Sequence, residues 1–187
     1  MKALYSIIVA TTIAMAIPQL SKGDSPSAIQ ASQSKSSFVV PDRFKIGLGK
    51  AFAGYLNIQE ALAHDEFQKG KISSDSMLGS LKGIRTSGLN SAAKSHWDSS
   101  SNLLTKTLQP MASSQDISTL RSHFIDLTPL VVGAIENFGI KPATPVYLFH
   151  CPMVNANWLQ KDKANANPFY GQSMSECGSL VREVKTP

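Results

Sequence analysis

Two cysteines are all that the 187 residues contain, and they are not arranged as C-x-x-C. That lack excludes the dithiol arrangement of a thiol oxidoreductase. Cys151 has only its immediate neighbour His150 beside it, which is poorly placed to activate it, so a cysteine hydrolase also lacks its base and orienter. His64, His96 and His123 fall on different segments with no paired motif. They read as surface or boundary residues, and the chain is expected to be no enzyme. Charged residues make up only 17%, and the formal net charge of +5 is spread without a basic run. A solvated surface accounts for that pattern, and nucleic-acid binding would need a clustered basic face. Beyond residue 17 no stretch is apolar enough to span a bilayer.

The length suggests one domain with accessories, and the 42% hydrophobic content is compatible with a packed core. Met1-Lys2 followed by the apolar "ALYSIIVATTIAMAI" (3–17) has the form of a signal peptide. Ala14-Met15-Ala16 offers cleavage after residue 16, with later sites up to about 23, and no cysteine follows to make a lipoprotein. An uncleaved N-terminal anchor is the competing interpretation. The mature protein is expected to be exported and soluble, in the periplasm or outside the cell. Residues 17–41 read as a serine-rich flexible linker, and 42–187 as the domain.

Four amphipathic segments follow. About 42–64 places Phe44, Leu48, Phe52, Tyr55, Leu56, Gln59 and Leu62 on one face, with Asp42 after Pro41 as a candidate cap. About 66–84 carries Phe67, Ser74, Leu78 and Leu81, although Gly70, Gly79 and Gly83 each cost about 1 kcal/mol relative to alanine. About 91–112 repeats at Ala93, Trp97, Leu104, Leu108 and Met111, and Pro110 is expected to bend or end it. About 115–138 steps through Ile117, Leu120, Phe124, Leu127, Val131, Ala134 and Phe138 before Gly139. Short connections predict a mainly α fold, an antiparallel four-helix bundle.

From Lys141 the character changes. Val146–Phe149 predicts a short strand and "SLVREV" (179–184) a second, framing a long ordered loop. The two cysteines flank this loop, each with a methionine near it: Cys151 with Met153, Cys177 with Met174. Three interpretations stay open. A disulfide would stabilise by about 3–4 kcal/mol on the chain-entropy model. The methionines could be core filler. Or the sulfurs converge on a soft ion: residues i and i+2 of a strand share a face, i and i+3 of a turn lie close, and thiolate plus thioether suits Cu(I) or Ag(I). Strand alternation puts His150 opposite Cys151, either on a backbone carbonyl or as an adjoining ligand.

The segments "YLNIQEALAHDEF" (55–67), "HCPM" (150–153), "WLQ" (158–160) and "NPFYGQSMSECG" (167–178) resemble those of a bacterial exported domain-of-unknown-function family. That family also occurs as the C-terminal appendage of copper/silver efflux adaptor subunits of the resistance-nodulation-division type. The resemblance spans about 44–180. It implies a periplasmic helical domain for copper, with Cys151, Met153, Met174 and Cys177 as metal ligands and His150 adjoining. It further implies that Trp158, Asn167, Pro168, Tyr170 and Gly171 shape the loop. No adaptor barrel or hairpin is legible ahead of the domain, so the resemblance transfers metal binding but not the adaptor role. Expected partners are a metal efflux adaptor or a cuproprotein.

Overall fold

The structure, a computed structural model, describes residues 38–141 and 145–184. The signal segment and most of the serine-rich linker lie outside the described residues. Four helices come first: α1 (Asp42–Ala63), α2 (Phe67–Lys82), α3 (Ser91–Ala112) and α4 (Ile117–Phe138). Each packs on its sequence neighbour, and α4 closes back on α1. The apolar faces set by steps of three and four form the core, with Phe44, Tyr55, Leu104, Leu108, Phe124 and Phe138 fully buried.

Helix ends follow local chemistry. Asn90 Oδ1 accepts the Ala93 amide (2.8 Å) and Asp116 Oδ1 the Thr119 amide (2.8 Å). Each such cap is worth about 1 kcal/mol. Asp42 does not cap α1. It is the first helical residue, and its carboxylate pairs with Lys141 (2.5 Å), just past α4. Pro110 does not break α3, which runs to Ala112. In the last turn, proline gives up a single amide donor, and its own carbonyl accepts the Ser114 hydroxyl (2.9 Å). The last residues assigned to the linker are docked: the Phe38 amide donates to Asn137 O (2.7 Å), its ring stacks on Phe138 (5.3 Å), and Val40 is buried.

The C-terminal part forms three strands where two were expected: β1 (Tyr147–Cys151), β2 (Ala156–Gln160) and β3 (Ser179–Glu183), antiparallel in the order β2-β1-β3. The extra strand lies inside the Asn-rich stretch that reads as loop. A tight turn over 152–155 creates it, closed by Asn155 at φ 49°, a left-handed conformation that asparagine tolerates. Two ties fix the sheet to the bundle. The Leu159 amide on β2 donates to Tyr55 Oη (3.0 Å), which is bonded to Thr128 Oγ1 (2.8 Å) on α4. Trp158 stacks on Phe149 (5.2 Å) and meets Phe169 edge-on (5.9 Å), and Phe169 reaches Phe124 of α4 (6.2 Å).

Candidate metal centre

Cys151 is the last residue of β1, the central strand, where Ala156 of β2 is its partner and the pairing with β3 ends one residue earlier at His150. Its side chain is fully buried, at 0% exposure. The chain turns immediately after it, and the amides of Met153 and Val154 point back at its sulfur. The Asn167 amide nitrogen adds a third N–H donor, at 3.4 Å. Met153 stands on the turn itself, 61% exposed.

The second half is a folded loop. Asn165 Nδ2 donates to Glu176 O (2.8 Å) and Gly178 O (2.9 Å). Asn167 Nδ2 donates to Cys177 O (2.6 Å), and its backbone amide donates to Ser175 O (2.9 Å). A 3-10 turn, Gly171–Met174, precedes Cys177, whose amide returns to Met174 O (3.0 Å). Gly178 closes the segment at φ +135°, where a Cβ would strike the Trp158 ring and His150 O. Only glycine allows the loop to lie this close to the sheet.

The two halves meet at sulfur. Both cysteines are free thiols, and each lies close enough to shift the other's acidity. Burial pushes the Cys151 thiol up, but the Val154 amide, the Asn167 side chain, the Met153 amide and Cys177 outweigh it, holding Cys151 below the usual cysteine range. Cys177 moves the other way, pushed up by desolvation and by its place beside Cys151. The pair is therefore asymmetric: the surroundings favour the thiolate at the inner sulfur and disfavour it at the outer, half-buried one.

Of the residues singled out in the sequence, the structure brings Cys151 and Cys177 together through Asn167. Met153 and Met174 (38% exposed) stand at the surface, two residues from Cys151 and one turn from Cys177. His150 goes elsewhere: it occupies the opposite strand face, where Nδ1 donates to Asn157 Oδ1 (2.8 Å) on β2. Trp158, Asn167, Pro168 and Gly171 are buried in the loop's base, with Tyr170 half-buried. Among the described residues, no three His, Cys, Asp or Glu side chains gather around one point. A metal here would draw on the cysteine pair and the thioethers beside it, a donor set that fits a soft monovalent ion better than zinc. Sequence reasoning missed the residues that seat the loop, Asn165, Gln160, Arg121 and Asp65. Gln160 Oε1 accepts from Trp158 Nε1 (2.7 Å) and its Nε2 donates to Asp162 O (2.7 Å) and Ala164 O (2.5 Å). Asn165, Gln160 and Arg121 act on backbone carbonyls and Asp65 on a backbone amide, scattered along the chain, which no spacing rule collects.

Neither a curated protein nor a solved structure matches the chain. Residues 51–143 match the model of a family described as protein of unknown function (DUF3347). That stretch runs from the middle of α1 through α4 and stops short of Cys151. The helical body is thus similar to that of a domain-of-unknown-function family.

Proposed function

We propose that this chain is an exported soft-metal-binding protein for Cu(I) or Ag(I). It would sequester the ion, or hand it to an efflux adaptor or a cuproprotein-assembly partner. The observation that carries this proposal is that Asn167 ties Cys151 and Cys177 together, bonding the sulfur of one and the carbonyl of the other, with N–H donors around the Cys151 sulfur. Amides aimed at a buried sulfur stabilise its thiolate, and the thiolate is the metal ligand. Export rests on the apolar segment 3–17, and the copper assignment on the resemblance of the HCPM and SMSECG motifs.

In this mechanism Cys151 is the inner anchor, because water does not reach it. Cys177 and the exposed thioethers of Met153 and Met174 form the outer side. An incoming ion meets thioether first, then Cys177, which loses its proton as the metal bond forms, then Cys151. Transfer runs the sequence backwards as a partner's sulfur replaces each outer ligand. Anaerobic titration of the reduced protein with Cu(I) against a competing chelator tests this. The expected result is one ion bound per chain, lost in Cys151→Ser with Cys177→Ser. No binding by the reduced protein, or binding that survives both substitutions, would sink the proposal.

The same arrangement also favours a second possibility, a disulfide-stapled envelope interaction module, since two neighbouring thiols can join on oxidation. Thiol counting on protein recovered from the oxidising compartment separates the two. Two blocked thiols resistant to mild reductant support the staple, and two titratable thiols support the metal site.

A further inference from the structure

Beneath the Met174–Cys177 loop lies a polar junction that the sulfur chemistry does not use. Arg121 projects from α4 into three acceptors. Its Nε donates to Pro168 O (2.8 Å), and its Nη2 donates to Leu62 O (2.8 Å) and to Asp65 Oδ1 (2.6 Å). Asp65, in the turn between α1 and α2, spends its other oxygen on the loop, where Oδ2 accepts the Gln172 amide (3.0 Å). The Gln172 side chain in turn donates to His64 O (3.3 Å). Asp65 sits at φ +61°, a left-handed conformation that residues other than glycine rarely adopt. Gly171 lies against the ion pair at φ +58°, and a Cβ there would fall onto Asp65 Oδ1 and Arg121 Nη2. Two left-handed residues and a shared guanidinium thus lock the start of the 3-10 turn onto the helical bundle.

We infer that Arg121 and Asp65 are positioning residues that latch the Met174–Cys177 half of the site and set how readily it lifts away from Cys151. The two halves are held differently. Cys151 belongs to a strand paired on both sides. The Cys177 half is held by individual bonds, from the Asn165 and Asn167 side chains and the Asn167 backbone amide, and by this latch. An ion gripped between the halves leaves fastest by the half whose bonds break one at a time. This consequence for metal release rests on the soft-metal proposal; the consequence for Cys177 itself does not.

The test uses the full chain, reduced and metal-free, with Arg121→Gln, Asp65→Asn and the conservative Arg121→Lys. Alkylation rates of Cys177 and Cys151 are followed separately by peptide mapping, and Cu(I) release is followed into an excess of chelator. Arg121→Gln and Asp65→Asn should speed both Cys177 alkylation and Cu(I) release about tenfold, the loss of a charged hydrogen bond. Cys151 alkylation should stay at the wild-type rate, and Arg121→Lys should recover part of the effect through its charge on Asp65. Unchanged Cys177 reactivity would overturn the latch. So would an equal rise at both cysteines, which reports general loosening. Asp65→Asn leaves both carbonyl bonds of Arg121 in place, so it decides the matter if Arg121→Gln does not fold. Selective exposure of Cys177 in a protein that binds no Cu(I) would support the latch while refuting the soft-metal proposal.

Discussion

Asn167 joins both halves of the site with one amide group. Its nitrogen serves Cys151 Sγ and Cys177 O, and its oxygen accepts the Phe169 amide (2.8 Å), all with the residue at 0% exposure. Asn167→Ala removes a donor from the inner thiolate and leaves the buried Phe169 amide unpaired. The expected cost is about 1–3 kcal/mol of stability, read as a lowered urea midpoint. Thiolate absorbance against pH gives a second readout. The wild type should titrate in two steps, Cys151 below and Cys177 above the ordinary cysteine range. Asn167→Ala should move the lower step up, and a single unshifted step in the wild type would count against the asymmetric pair. The cysteines and methionines were legible because sulfur is rare here and falls in two matched places. Asn167 entered only as a loop-shaping position by resemblance, since an amide that bonds carbonyls leaves no periodicity. His150, adjacent to Cys151 in sequence, is separated from it by strand alternation.

Strand β2 shows why one element was hidden. The helices announce themselves in steps of three and four over 16 to 22 residues. β2 is five residues long, with Asn155 before it and Asn157 within it. Its burial comes from distant partners, Tyr55 on its amide edge and Phe169 on its tryptophan. Tyr55 looks in the sequence like one more apolar residue of a helix face, yet its hydroxyl closes the sheet edge. Burial pushes that hydroxyl's pKa up, so it stays neutral. Tyr55→Phe should cost about 1–3 kcal/mol by stranding the Leu159 amide, and amide exchange at Leu159 should accelerate more than at β3. Equal exchange in both proteins would show that the edge needs no cap. The turn between α1 and α2 carries a pH signature. Asp65 is held below the usual carboxylate range, first by Arg121 and then by the Gln172 amide. A depressed folded-state value means its contribution is complete above the unfolded value of about 4 and fades as pH falls through the folded one. The stability difference between wild type and Asp65→Asn should therefore be flat above about pH 5 and close below it. A gap that widens on acidification would contradict the assignment.

At the scale of the whole molecule, the site is an addition to a bundle. The family match ends at residue 143, and both cysteines lie beyond it. The bundle supplies the fixed points: Tyr55 for β2, Arg121 and the Asp65 turn for the loop, Phe124 for Phe169. No helix among the described residues is long and apolar enough to cross a membrane. The bundle was legible in the sequence because helix faces are local patterns. The docking of the loop on the bundle was not, because Arg121 and His64 meet the loop 47 and 108 positions away. The central claim is that Cys151 and Cys177 together hold a soft ion, and X-ray absorption at the copper edge of the Cu(I)-loaded reduced protein tests it most directly. The account predicts a first shell of sulfur alone, losing one scatterer in Cys177→Ser. A shell of nitrogen or oxygen, or a sulfur count unchanged by that substitution, would contradict it.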